Sequence, residues 1–539
     1  MKTIDVSDRV IRGDLAARAS LLAGRLEKKE YRPETILNMD QSGWPGDWEG
    51  RTVLALVRLA ETTKKEPAWL DEIVTAVLNG RNERGYLGHI LPDGEADEQQ
   101  LSGHGWLLRG LVAYAAYRKR DDVLDAAKTI VENLFLPLYE TYKSYPIRPE
   151  ERVYGGAEAG NVAKVVGKWH ISTDTGCAYI PLDGLTALYE VTRDERLLAL
   201  LRVMIENFLK IDFAGICAQT HATLTACRGI LRLYGVTGGE ELLSAVRSLF
   251  SLYTTTGMTA NYANYNWFGR PEWTEPCAII DSFMVAMQLF RYTGEADYVT
   301  LAQRIYYNGI GFGQRENGGF GCDTCLGASV KDSHILRVHC PEAYWCCTMR
   351  GGEGLSAVAE YAVLVQENTV ILPYLTPLTA DVATEDGAFR LSVSTGYPYA
   401  GTAKLSFSEN TAAGALLCVY LPDGTTGVTV SGARCRRAGT WLLLTLTGEE
   451  QEISLSFTLP LDAEVPANAG EDEPRRALFC GNLMLSAKAE DGERALSVAA
   501  LSSAPVERGT VVCGDITLHP LFDAYETDHE PRQVLFNIE

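Results

Sequence analysis

Two short stretches carry residue types whose spacing suits metal or thiol chemistry. Trp273-Thr274-Glu275-Pro276-Cys277 sets a carboxylate and a thiol two residues apart, and Tyr344-Trp345-Cys346-Cys347-Thr348 supplies two adjacent thiols further along. One oxygen and three sulfurs make four ligands, a set that suits tetrahedral Zn²⁺, a borderline-soft ion that accepts both thiolate and carboxylate. A purely structural zinc is the alternative use of the same groups. A second set competes: Cys322-Asp-Thr-Cys325 is a C-x-x-C and Cys340 follows His339, so these could join Cys346 or Cys347 in an all-cysteine structural site. The remaining cysteines are scattered and read as small packing residues.

The aromatic residues point to a ligand class. Eight of the nine tryptophans precede residue 366, several of them in polar, glycine-rich surroundings: Gln41-Ser-Gly-Trp44-Pro-Gly-Asp47-Trp48, Asn261-Tyr-Ala-Asn-Tyr-Asn-Trp267 and Tyr344-Trp345. Aromatic faces beside amides, carboxylates and hydroxyls suit a sugar, with its apolar C–H faces and polar rim, and loops over a rigid frame are where binding groups concentrate. Trp48, Trp267 and Trp345 are therefore candidate substrate contacts. Asp47 and Glu49 beside Trp48 could bond sugar hydroxyls or serve a helix N-terminus.

The elements that must position these groups fall into two parts. The first two thirds are helical; in Leu101 to Tyr117, for example, Leu107, Leu108, Leu111, Val112, Ala115 and Ala116 recur near the helical period. Apolar helices run into polar turns at Glu61–Glu66, Arg118–Asp122, Thr192–Glu195, Thr237–Glu240 and Thr293–Glu295, each followed by a second amphipathic helix. Five such hairpins and a sixth after Gly351 predict an (α/α)6 toroid rather than an open solenoid, whose repeats would be more alike. Near Gln366 the pattern changes to short alternating segments with Pro-Asp-Gly and Asp-Gly turns, which predicts a C-terminal β-sandwich of jelly-roll type. The expected domains are residues 1–30 as an N-terminal segment packing on the β domain through a strand at Thr3 to Val10, 31–365 as the catalytic toroid, and 366–539 as the sandwich. Ala467 to Arg475 reads as a loop.

Composition narrows the function. Among 539 residues, 49 are Lys or Arg and 70 are Asp or Glu, a net charge of −21. Such a surface repels phosphate backbones, so nucleic-acid binding is not expected. No apolar run is long enough to span a membrane, and the acidic start of the chain is unlike a secretory signal. Thirteen cysteines without such a signal fit the reducing cytoplasm better than a disulfide framework.

Taken together, the helical hairpins, the Glu-x-Cys opening a helix, Tyr306-Tyr-Asn-Gly309, the Cys-Cys pair and the β-sandwich resemble glycoside hydrolase family 127, the β-L-arabinofuranosidases, with relatives in family 146. Ala477-Leu-Phe-Cys-Gly481 and Leu518-His-Pro-Leu-Phe-Asp523 extend the resemblance towards the C-terminus. It implies a retaining glycosidase in which Glu275, Cys277, Cys346 and Cys347 hold zinc and Cys346 is also the nucleophile. A thiolate at Cys346 would attack the anomeric carbon, and water would hydrolyse the thioglycosyl-enzyme. The resemblance also implies pocket histidines at His104, His170 and His221, each with a buried structural role as the alternative; Ala178 stands where the family has another. One departure concerns proton transfer. The family's acid/base glutamate falls nominally at Thr259, and Thr254 to Arg270 contains no carboxylate. Glu342, four residues before the cysteine pair, and Asp281, one helical turn beyond Cys277, are the candidate replacements.

The expected activity is thus an exo-acting, β-L-arabinofuranosidase-like hydrolysis of small glycosides or oligosaccharides with Zn²⁺. A small carbohydrate is the only expected partner, and a homodimer is compatible with this reading. Two other readings stand beside it: a metal-dependent carbohydrate lyase or isomerase on the same toroid, and a non-catalytic sugar-binding protein with a structural zinc.

Overall fold

A computed structural model describes residues 1–37, 43–152, 162–327, 333–466, 468, 473–489, 493–502, 506–526 and 529–539. Among them, the twelve helices of nine residues or more are α1 (Gly13–Leu26), α2 (Asp47–Thr63), α3 (Leu70–Asn79), α4 (Glu98–Arg118), α5 (Asp121–Ile130), α6 (Pro181–Thr192), α7 (Glu195–Phe208), α8 (Thr220–Thr237), α9 (Glu240–Thr256), α10 (Pro276–Thr293), α11 (Ala296–Arg304) and α12 (Cys347–Glu360). The even-numbered helices form a closed inner ring: each packs on the next, and α12 packs on α2. The odd-numbered helices form the outer layer, so the helical part is an (α/α)6 toroid. The five turns noted in the sequence join inner helices to outer ones. Lys64, Lys119, Arg193 and Gly294 take left-handed conformations there, and Gly238 has positive φ, which stops each inner helix.

The sixth pair differs from the expected hairpin. After α12 the chain runs directly into a strand, Leu364–Gln366, and the outer partner of α12 is α1 from the opposite end of the chain. The toroid is closed by a contact between helices more than 300 residues apart in sequence, which no local periodicity could signal.

The inner ring is tight because glycines sit where its helices cross. A Cβ on Gly50 of α2 would stand 2.3 Å from the Leu107 backbone nitrogen of α4, and one on Gly229 of α8 would stand 2.4 Å from the Leu182 carbonyl carbon of α6. Below the ring's mouth the helices are stapled by a buried ion network. Arg228 pairs with Asp281 (2.6 Å), Glu353 (2.5 Å) and Asp183 (3.2 Å); Arg109 pairs with Asp183 (2.9 Å) and Glu353 (3.0 Å). Arg350 closes on both Asp281 and Glu353, and Arg232 joins Asp183 to Glu190. Four guanidiniums thus meet four carboxylates, the condition under which charge can be buried.

The β region begins with two six-stranded sheets that share one core with the toroid. In the second of them, Leu378–Thr384, Gly387–Thr395 and Thr402–Ser408 alternate buried and exposed side chains, as a sheet with one solvated face must. The N-terminal segment contributes to both: Lys2–Thr3 pairs with Leu364–Gln366, and Arg9–Ile11 pairs with Leu378–Thr384. The strand expected over Thr3 to Val10 is therefore two strands, separated by a 3₁₀ turn at Val6–Asp8. The chain after Thr458 does not extend the sandwich. It forms most of a third sheet, whose strands from Leu461 to Ile538 are joined by Ile335–Leu336; one of its cores is its own and the other is shared with Phe312, Leu326 and Leu336 of the toroid segment. Alternation marks strands but does not say which sheet receives them. Most of the loop expected at Ala467 to Arg475 lies outside the described residues.

Candidate metal centre

Each inner helix is separated from the next by one outer helix, so the inner helices run the same way and their N-termini gather at one end of the ring. Two of these N-termini carry the candidate ligands. Glu275 is the extended residue capping α10, with Pro276 at the first helical position, where its missing N–H costs nothing. Cys346 occupies the equivalent position of α12, and Cys277 and Cys347 lie in the first turns. Unpaired helix N–H groups and the helix dipoles favour negative charge at this point.

The folded chain brings the four residues together. Their ligand atoms lie within 4.8 Å of one another. Sγ–Sγ distances are 3.6 Å for Cys277–Cys346, 3.7 Å for Cys277–Cys347 and 3.3 Å for Cys346–Cys347. A tetrahedron with zinc–sulfur bonds of about 2.3 Å has sulfur–sulfur edges of about 3.8 Å, so the residues fit zinc with small adjustments. The competing all-cysteine site is not assembled. Cys325 turns its thiol towards the Asn264 carbonyl and Cys340 towards that of Glu342. Cys322 faces Cys340 across a two-stranded ribbon and interacts with Cys347.

The surroundings orient the ligands. Glu275 Nα donates to Asn264 Oδ1 (2.7 Å), and Asn264 in turn donates to Thr220 Oγ1 (2.9 Å) at the start of α8. The Glu275 carboxylate accepts from Gln219 (3.5 Å) and from the Asn266 amide, turned nitrogen-inward (2.5 Å), and its other oxygen lies 3.3 Å from His221 Nδ1. Trp106 forms the buried floor: the Arg51 and Arg350 guanidiniums each lie 4.3 Å from its ring centroid, and His221 stacks on it. Arg51 donates to Cys277 Sγ (3.5 Å). Burial pushes the Cys277 and Cys347 thiols well above their ordinary value; the Cys277 contact and burial do the same for Cys346.

The other residues expected at the site divide. His221 joins it, linking Glu275 to Asp281 (3.5 Å from Nε2). Trp48 and Tyr344 approach to 5.9 Å, Tyr344 meets Trp345 edge-on at 4.9 Å, and Tyr344 and Trp345 are 38% and 46% exposed, an aromatic surface directly beside Cys346.

His104 does not join. Its Nδ1 meets the Gln100 carbonyl (2.8 Å), Nε2 accepts from Leu87 N–H (3.0 Å), and burial lowers its pKa to about 4, so both ring nitrogens serve the fold. His170 stands on a ribbon strand facing Glu95 (3.1 Å). Trp267 is buried against Trp273 inside its loop. Asp47 is turned onto Arg51 in a two-pronged pair of 2.7 and 3.1 Å.

Neither candidate acid is free. Burial alone would raise the Asp281 carboxyl, but Arg350 and Arg228 outweigh it and hold the pKa below its ordinary value, with Thr225 adding a bond of 2.6 Å. Glu342 accepts from Arg25 (2.9, 3.2 and 3.1 Å), Asn317 (2.8 Å) and Thr348 (3.0 Å), which clamps the cysteine loop to α1. Thr259 bonds Asn261 and the Ala263 N–H within its own loop. Gln41 and Ser42, ahead of Trp44, lie outside the described residues. Arg51, Trp106 and Asn266 were missed by sequence reasoning. Arginine, tryptophan and asparagine within helices and loops carry no spacing signal, and only the close crossing of α2 and α4 brings Arg51 to Trp106.

Comparison with known proteins places this geometry. The catalytic-domain model of the β-L-arabinofuranosidases, glycoside hydrolase family 127, matches residues 169–360, which include all four candidate ligands. A solved family 127 β-arabinofuranosidase superposes with a TM-score of 0.72 at 14% identity, covering 100% of this chain and 98% of its own. A β-L-arabinofuranosidase of family 127 from Geobacillus stearothermophilus T6 gives 0.70 at 14% identity, covering 99% and 100%, and a structure described as a glycoside hydrolase gives 0.70 at 14%, covering 99% and 97%. No curated protein matches by sequence. Fold and matched segment define the class: a glycoside hydrolase on an (α/α)6 toroid with β-sheets behind it. Within that class the chain is similar to the β-L-arabinofuranosidases of family 127 over residues 169–360, and its whole-length likeness to them lies in the fold. No helix among the described residues is long and apolar enough to cross a membrane.

Proposed function

We propose that the chain is a retaining, exo-acting glycosidase of β-L-arabinofuranosidase type. It would act on small glycosides or oligosaccharides, with Zn²⁺ held by Glu275, Cys277, Cys346 and Cys347 and with Cys346 as nucleophile. The observation that carries this reading is the tetrahedral spacing of three thiols and a carboxylate at two helix N-termini, inside the segment that matches the family 127 catalytic domain. Bound there, zinc would keep the thiols as thiolates at neutral pH.

Cys346 is the least buried of the three and adjoins the exposed Tyr344–Trp345 surface, which can take a sugar's apolar face. Its sulfur would displace the glycosidic oxygen at the anomeric carbon, the leaving group departing with the bonding electrons. Water would then displace the sulfur from the vacated face, so that two inversions retain configuration. With Asp281 and Glu342 both engaged by arginines, cleavage is expected to depend steeply on leaving-group acidity, nitrophenyl glycosides reacting far faster than alkyl ones. A thiol-rich centre fits a reducing, cytoplasmic setting.

The test is the metal content of protein purified without added zinc, together with turnover of a nitrophenyl glycoside panel that includes β-L-arabinofuranoside, for wild type and Cys346→Ser. About one zinc per chain, with turnover abolished in the variant, is the expected result. Absence of zinc, or turnover that survives loss of Cys346, overturns the mechanism.

A further inference from the structure

Resting on that reading of the centre, we infer that Arg51, aimed by Asp47, is a positioning residue for the metal-binding thiolates: it donates a charge-assisted hydrogen bond to Cys277 and raises the affinity of the cluster for a divalent cation. The geometry is specific. Asp47 stands one turn before Arg51 on α2 and grips two guanidinium nitrogens, Nε at 2.7 Å and Nη2 at 3.1 Å. That fork leaves Nη1 to point at Cys277 Sγ, 3.5 Å away. The planar group is held from the side by Trp106, whose ring centroid lies 4.3 Å from the guanidinium carbon. It reaches this place because Gly50 lets α2 press against the α4 backbone at Trp106 and Leu107. Side chain, partner and helix approach thus converge on one nitrogen–sulfur contact.

The chemistry gives the contact a purpose. Three thiolates and a carboxylate carry four negative charges, and a divalent cation neutralises only two. The helix N-termini at Glu275 and Cys346 offset part of the remainder, and a guanidinium on one sulfur offsets more. Arg350, on the same tryptophan, turns its guanidinium onto Asp281 and Glu353 and acts on Cys277 through charge alone, whereas the Asp47 fork leaves Nη1 of Arg51 for the sulfur. Partners of this kind beyond the ligands themselves are worth about 10–100-fold in metal affinity.

The experiment is chelator competition for zinc on full-length wild type, Arg51→Met, Arg51→Lys and Asp47→Asn, with the thermal midpoint of each metal-free protein as a control on folding. Arg51→Met should weaken zinc binding by about 10-fold or more. Arg51→Lys, which keeps the charge but not the fork, should fall between, and Asp47→Asn should weaken binding several-fold while leaving Arg51 charged. In cobalt-loaded protein the sulfur-to-metal charge-transfer band should move to longer wavelength in Arg51→Met, because a thiolate that has lost a hydrogen bond donates more readily. A purely structural arginine would leave affinity and band unchanged in every variant that folds, and that result overturns the inference. If Arg51→Met does not fold, Arg51→Lys and Asp47→Asn decide by the same criteria. A wild type that binds no zinc removes the proposed function and this inference together, whereas equal binding by wild type and variants removes the inference alone.

Discussion

Asp281 shows what it takes to bury a carboxylate one helical turn beyond the cysteine cluster. Its oxygens are shared among Arg228, Arg350, Thr225 and His221, so it anchors the ring rather than carrying a proton. Asp281→Asn should cost about 3–5 kcal/mol, because it leaves two guanidiniums undercompensated in the interior; denaturant unfolding of the metal-free protein measures it. Glu49 is the opposite case. Burial, then the neighbouring Asp47, raise its pKa from 4.5 to about 7. The folded state therefore holds this proton more tightly than the unfolded one. The stabilisation is complete below pH 4.5, declines as pH rises through 7, and amounts to roughly 3 kcal/mol. Glu49→Gln should accordingly flatten the loss of thermal midpoint between pH 5 and 8. At this scale the clustering of Glu275, Cys277, Cys346 and Cys347 was readable, because a shared site imposes residue type and short spacing. The role of His104 was not, because it depends on the Leu87 N–H and the Gln100 carbonyl reaching both ring nitrogens, which only packing arranges.

Among the elements, α2 does most to position the site. Its Asp47–Arg51 pair reaches Cys277, its Trp48 meets Tyr344, and its Thr52 hydroxyl donates to Met349 Sδ in α12 (2.9 Å). All of this depends on Gly50. Gly50→Ala places a methyl 2.3 Å from the Leu107 backbone nitrogen, so α2 must retreat from α4. A loss of about 1–3 kcal/mol is expected, and zinc affinity should fall alongside stability because Arg51 retreats as well; unfolding and metal titration of the same preparation test both. Helices and their turns were visible in the sequence, since apolar period and left-handed caps are local properties. The pairing of α1 with α12 was not, because no local property of either helix names a partner more than 300 residues away.

For the whole molecule, the N-terminal segment ties the parts into one unit. Lys2–Thr3 and Arg9–Ile11 edge the two sandwich sheets, and α1 then completes the outer ring and holds the cysteine loop through Arg25 and Glu342. Deleting residues 1–12 should lower the unfolding midpoints of toroid and sandwich together, in a calorimetric scan that shows one transition in the intact chain; two separate transitions with the toroid unaffected would refute this coupling. The amino-acid order alone was enough for the change from helical to strand period near Gln366, the toroid class and the Glu275, Cys277, Cys346 and Cys347 set, because periodicity and ligand spacing are short-range constraints. Closure of the ring by α1, the separate third sheet, the burial of His104 and Trp267, and the delivery of Arg51 to Cys277 were decided only by tertiary structure. Each depends on which surfaces meet across the chain, and hydrophobic burial and charge pairing settle that collectively rather than residue by residue.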